Sequence, residues 1–222
     1  MTSPAASASP APNAYGLSVV TDVAAYQQQT QLNPDTRLVN LKEAIHDVQL
    51  DIRYATAANV LGEPLYTTAA AFLRTPAVAA LQQVQAALAA EGVGLLVFDA
   101  YRPYSVTVRF WDRIQDETYA APPWRGSRHN RGCSVDVALV DASGQPLLMP
   151  TDFDDLTPVA HACYEPVTAE VRRNRALLLD TMAAHGFLNY AAEWWHFDFG
   201  RWVEFDLLDI PFEQLQQFPS TR

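Results

Sequence analysis

Ser127-Arg128-His129-Asn130-Arg131-Gly132-Cys133-Ser134-Val135-Asp136-Val137-Ala138-Leu139-Val140-Asp141-Ala142-Ser143-Gly144 contains a turn, a strand and a second turn in one run. Cys133 to Val140 reads as a strand. Asp141-Ala142-Ser143-Gly144 reads as a hairpin turn, with Leu147 and Leu148 beginning the return strand. A hairpin here argues for antiparallel pairing. Working outward, Gly94 to Phe98 is a continuous apolar run bounded by turn signals, which predicts a fully buried strand. Phe187 to Tyr190 and Trp194 to Phe199 predict a final strand pair. Val48 to Tyr54 alternates apolar with polar, as a half-buried strand does.

Helices are interleaved with these strands. Thr75 to Ala90 has Val78, Leu81, Val84, Gln85 and Leu88 at helical spacing; Thr75 can cap it, Pro76 suits its first position and Gly92 ends it. Ser105 to Asp116 predicts a shorter helix. Val167 to His185 predicts a long one, with Val171, Leu178, Leu179 and Met182 inward, Arg172, Arg173 and Arg175 outward, and Gly186 after its end. The reading is an α+β fold: a single domain with a central antiparallel sheet and flanking helices, spanning residues 17–222. Residues 1–16 are rich in Ala, Ser and Pro and read as a disordered tail.

Composition narrows the partners. In 222 residues, 25 acidic against 15 basic side chains give a formal charge of −10, which argues against nucleic acid. No apolar run is long enough for a membrane span. The Ala/Ser/Pro tail suits either an envelope protein whose export signal was removed or a cytoplasmic one, and both stay open. Cys133 and Cys163 form no CxxC pair, which excludes a cysteine zinc site. A disulfide between them stays open beside the expectation of two buried free thiols.

His129 and Asp136 lie seven apart with Gly132 between them, and Glu193-Trp194-Trp195-His196 lies far downstream. Hydrolytic zinc takes three protein ligands from His, Asp and Glu and leaves one position open. His129, Asp136 and His196 supply such a set. Two neutral imidazoles and one carboxylate leave the site a net positive charge, able to activate water and polarise a carbonyl. Asp136 shares a strand face with Ala138 and Val140, and Val135, Val137 and Leu139 take the opposite, core-facing side. Glu193 and His196 would face apart in a regular strand, so Glu193 is placed in the lead-in before it. Taken singly, each spacing is also compatible with a structural role. His46, His161 and His185 are read as structural or surface histidines.

With Asp99-Ala100-Tyr101-Arg102-Pro103 upstream, the combination resembles the D-alanyl-D-alanine dipeptidases of the vancomycin-resistance type, zinc D,D-peptidases that share a hedgehog-like fold. The resemblance runs from about Val48 to His196. It implies one zinc per chain held by His129, Asp136 and His196, with Glu193 as catalytic base and Arg102 as the arginine facing the transition state. It implies substrate contacts from Ser127, from Tyr54 within Asp51-Ile52-Arg53-Tyr54-Ala55-Thr56, and from Asp154, whose carboxylate would take the free ammonium. Asn59-Val60 departs from the family's usual Asn-Phe, and Cys133 stands where a small serine is common, which suits packing rather than ligation.

The activity so implied is hydrolysis of free D-Ala-D-Ala. A zinc D,D- or L,D-carboxypeptidase acting on peptidoglycan stems shares the same core and stays open, as does a binding module that does not cleave. Other readings persist for single residues: an ion pair with Asp99 for Arg102, core packing for Tyr54 and a turn role for Ser127.

Overall fold

The computed structural model describes residues 10–216. Its strands and helices run β1 (Val19–Val20), α1 (Val23–Leu32), β2 (Leu38–Asn40), α2 (Leu41–Ala44), β3 (Gln49–Leu50), β4 (Phe72–Arg74), α3 (Thr75–Ala90), β5 (Val93–Asp99), α4 (Tyr104–Ile114), β6 (Ser134–Asp141), α5 (Ala169–Ala184), β7 (Phe187–Asn189), β8 (His196–Phe199), β9 (Leu207–Leu208) and α6 (Phe212–Leu215). The main sheet has five strands in the order β3-β5-β6-β8-β7. Its β5–β6, β6–β8 and β7–β8 pairs are antiparallel, and only the short β3 joins in parallel, on β5. This is the α+β architecture expected. Two small pairs flank it, β1 with β9 and β2 with β4.

The long elements follow their sequence patterns because each carries a buried stripe. Ala77, Val78, Leu81, Val84, Gln85 and Leu88 of α3 are buried, and α3 packs on both β5 and α5. Thr168 caps α5 by accepting from the Val171 amide at 3.2 Å. β6 is buried along Ser134 to Val140, so both of its faces are covered and not only the Val135, Val137 and Leu139 side.

Several local expectations change. Thr75 is inside α3 rather than capping it: Arg74 is the cap residue, and the Thr75 hydroxyl donates to the Pro34 carbonyl at 3.0 Å. The strand expected over Val48 to Tyr54 shrinks to β3 and then winds into a tight turn at Arg53–Ala55. Beyond the Asp141 turn the returning chain makes one bridge, Val140 to Pro146, and no strand. Arg175 points inward, where its Nη1 donates to the Tyr164 carbonyl at 2.7 Å. Cys133 is buried and Cys163 exposed, and the two thiols are not joined. Of the proposed tail, residues 1–9 lie outside the described residues, while Pro12 bridges Ser18 around a turn at Asn13.

Two constraints hold the turn that precedes β6. Arg74 is almost wholly buried, and its guanidinium donates to the carbonyls of Arg131 (2.7 Å), Asp206 (3.0 Å) and Thr36. It therefore ties β4, the C-terminal segment and the His129–Arg131 turn together. Gly132 follows with φ +67°, and a Cβ there would collide with the Leu38 side chain. Left-handed backbone against a packed neighbour leaves room for glycine alone. Gly132→Ala is expected to destabilise the protein by about 1–3 kcal/mol, lowering the melting temperature by roughly 2–4 °C for each kcal/mol; calorimetry of the two proteins checks this.

Candidate metal centre and active site

The β6–β8 register builds the centre. Asp136 stands directly opposite His196, and Ser134 opposite Asp198. Side chains in register across an antiparallel pair share a face, so these four project together. His129 arrives from the turn before β6, where its backbone carbonyl accepts from the Arg102 amide at 3.1 Å. Asn130, fully buried, locks that turn. Its Nδ2 donates to the Arg102 carbonyl (2.9 Å) and Thr107 Oγ1 (2.7 Å), and its Oδ1 accepts from the Ser127 amide (2.7 Å).

The expected ligand set converges. His129 Nε2, Asp136 and His196 Nδ1 form a tight triangle: 3.1 Å between the two imidazole nitrogens, 2.9 Å from His196 to Asp136 Oδ1 and 3.4 Å from His129 to the same oxygen. Ligands ~2.0–2.1 Å from a tetrahedral zinc stand roughly 3.3 Å apart, so the donors fit in type and spacing. His129 Nδ1 lies 2.5 Å from the Ala100 carbonyl, which accepts its proton and leaves Nε2 free to ligate.

The surroundings suit a cation. Asp99, Asp136, Glu193 and Asp198 are all buried within this one region, and uncompensated carboxylates are costly there. Burial alone would push the Asp136 carboxyl up, but His129 and His196 hold it well below the usual carboxylate range. Burial likewise depresses the His196 ring, yet Asp198 and Asp136 outweigh it and hold the imidazole well above its usual value. Burial dominates at Glu193 and pushes its carboxyl up to about 8. Glu193 sits in the turn before β8, its Oε2 3.8 Å from His196 Nδ1, the lead-in position anticipated.

His129, Asp136, Glu193, His196 and Asp198 line one cavity of about 480 Å³ with Arg102, Tyr54, Asp154 and Ser127. Arg102 is held by Asp99 Oδ2 through both Nε (3.0 Å) and Nη2 (2.7 Å), and is stacked over Tyr54 and Phe110 with its Nη2 3.9 Å from Asp136. The ion pair and the place in the cavity are thus both present. Ser127 combines roles too, since its Oγ accepts from the His129 amide at 3.2 Å while it faces the cavity. Tyr54 is buried and its hydroxyl donates to Asp154 Oδ1 at 2.7 Å. Asp154 Oδ2 is enclosed without a hydrogen-bond partner among the described residues. Cys133 lies outside this set; burial pushes its thiol up to about 12, which suits packing. His46 is exposed, His161 lies 3.4 Å from the Tyr119 hydroxyl and His185 ends α5, so none joins the cluster.

Asp99, Asn130 and Asp198 escaped the sequence reading as site residues. Asp99 was visible only as a possible partner of Arg102. A bulge at Phe98 shifts the β5–β6 register so that Asp99 pairs with Asp136, which brings its carboxylate into the site. Asp198, two residues beyond His196 on the same strand, carried the one usable signal: period-two alternation puts both on one face.

A buried His2Asp donor set beside a buried carboxyl group and a clamped arginine is the arrangement of a metal-dependent hydrolase. The chain belongs to the Peptidase M15 family, described as D-ala-D-ala dipeptidase, which matches residues 34–206; it is a zinc metallopeptidase. A D-alanyl-D-alanine dipeptidase of Escherichia coli K12 is 32% identical over 177 residues, covering 80% of this chain and 92% of that protein. One of Enterococcus faecalis is 32% identical over 179 residues, covering 71% and 88%. Among solved structures, the LdcB LD-carboxypeptidase aligns over 82% of this chain and 78% of its own, at 18% identity and a TM-score of 0.45. VanYB in complex with D-alanine-D-alanine aligns over 60% and 74%, at 16% identity and a TM-score of 0.39.

Burial raises the Asp154 carboxyl to about 7. The folded state therefore holds a proton that the unfolded chain has already lost, and stability falls as pH rises from about 4 through 7. Asp154→Asn removes that loss. Metal-free Asp154→Asn is expected to gain in melting temperature relative to the parent at pH 8 and to gain less at pH 5; thermal melts at both values check it.

Proposed function

We propose that this enzyme hydrolyses the free dipeptide D-Ala-D-Ala to two D-alanines, with one zinc ion per chain held by His129, Asp136 and His196. The observation that carries the dipeptide reading is the enclosed, unpartnered Oδ2 of Asp154 in the same cavity as the ligand triangle. A buried carboxylate oxygen without a donor is unfavourable unless a ligand supplies one. The free ammonium of a dipeptide is such a donor, and the relatives are dipeptidases of this specificity.

Bound zinc would supply a nucleophilic water at neutral pH and polarise the scissile carbonyl. The chain's own residues carry the remaining steps. Glu193, in the lead-in to β8 beside the ligand triangle, takes a proton from the attacking water and passes it to the leaving amine. Arg102 is fixed by Asp99 before substrate arrives, so its guanidinium faces the developing oxyanion without reorganisation. Asp154, oriented by the Tyr54 hydroxyl, holds the substrate ammonium and thereby sets the scissile bond against Glu193. Trp195, Leu156 and Phe110 line the same cavity and limit water around it. Ser127 is available to the other end of the dipeptide.

Two outcomes test this. Glu193→Ala is expected to keep its zinc, measured by metal analysis, while turnover of D-Ala-D-Ala drops by roughly 10²–10⁴; an active variant would remove Glu193 from the mechanism. N-acetyl-D-Ala-D-Ala lacks the ammonium and leaves Asp154 unpaired, so its kcat/KM is expected to fall at least a hundredfold below that of the free dipeptide. Comparable cleavage of both substrates would indicate a carboxypeptidase instead.

A further inference from the structure

We propose that Asp198 is a positioning residue for the metal centre: by accepting the Nε2 proton of His196 it turns the Nδ1 lone pair toward Asp136 and His129. The two ring nitrogens of His196 have different neighbours. Nδ1 lies 2.9 Å from Asp136 and 3.1 Å from His129, inside the ligand triangle, and Nε2 lies 3.1 Å from Asp198 Oδ1 on the other edge of the ring. A metal-bound imidazole needs its second nitrogen protonated and held, because that bond fixes both tautomer and ring orientation. For His129 the acceptor is the backbone carbonyl of Ala100. For His196 it is a side chain, and so open to mutation.

Asp198 is itself built in. It is 3% exposed, and its oxygens are committed before any ion arrives. Oδ1 also accepts from Ser134 Oγ at 2.6 Å, and Oδ2 pairs with Arg128 Nη1. Ser134 is its register partner across β6 and β8, so the strand pairing that aligns Asp136 with His196 aligns this second pair as well. Arg128 rests over the Trp202 ring at 4.6 Å, which steadies the guanidinium. These contacts keep the carboxylate on the far edge of the ring from the triangle. A carboxylate partner also makes the imidazole a stronger donor than a neutral acceptor would.

The inference rests on the zinc-peptidase reading, and zinc affinity separates the two. The test uses the full chain, with Zn2+ titrated against a competing chelator and the electronic spectrum recorded after Co2+ substitution. Asp198→Ala is expected to weaken zinc binding roughly 10–100-fold and to alter the cobalt d–d bands. Asp198→Asn, whose amide oxygen can still accept from Nε2, is expected to recover most of the affinity. Ser134→Ala loosens one clamp and is expected to weaken zinc binding in the same direction by a smaller factor. Unchanged zinc affinity in Asp198→Ala, or equal losses in the Ala and Asn variants, overturns the proposal. If Asp198→Ala fails to fold, unchanged zinc affinity in Ser134→Ala overturns it. Parent protein that binds zinc but leaves D-Ala-D-Ala intact sinks the substrate assignment alone, and the variant affinities still decide the role of Asp198. Parent protein that takes up no zinc ends both.

Discussion

Asp136 faces His196 across β6 and β8, and the active-site arrangement depends on that register. A slip of one residue would turn Asp136 to the other face of the sheet and replace it with Val135 or Val137. The register is held by burial on both sides of β6, where Val135, Val137 and Leu139 alternate with Ser134, Asp136 and Ala138. Hydrophobic packing thus sets the position of a charged group that could not be buried for its own sake.

The same economy recurs around the cavity. Asp99 fixes Arg102, Ala100 fixes His129, Tyr54 fixes Asp154, and Asp198 adjoins His196. Each of these four groups thus has a second contact that limits its freedom. Preorganised charge is effective because it need not reorient during the reaction. Its cost is a concentration of buried carboxylates exceeding the nearby guanidinium groups, which a divalent cation offsets.

Pattern made the long elements legible. α3, β5, α4, β6 and α5 each lie close to their expected bounds, because a stripe or run of apolar residues marks a buried surface. Short elements were less legible. β3 keeps two residues of a seven-residue alternation, and Trp194 and Trp195 precede β8 although aromatic residues favour strand. In both places tertiary hydrogen bonds override local preference: the Tyr54 carbonyl accepts from the Leu65 and Tyr66 amides, and Trp194 Nε1 donates to Thr151. Arg175 was misplaced for a related reason, since its inward face holds a carbonyl that only the folded chain presents.

The sequence by itself offered the candidate donors His129, Asp136 and His196, because metal chemistry restricts ligands to few residue types and their combination with Glu193 and Arg102 resembles a zinc-peptidase pattern. It also made the α+β class legible, through the final antiparallel strand pair and the interleaved helices, although the return strand expected after Asp141 is only a single bridge. Only the tertiary structure decided which neighbours support those residues. Asp99 enters the site through a one-residue bulge, Asn130 through the turn it closes, and Asp198 through its place opposite Ser134. Spacing along the chain encodes periodicity within an element, whereas register between elements is fixed by packing across the sheet, and these three residues depend on register and packing.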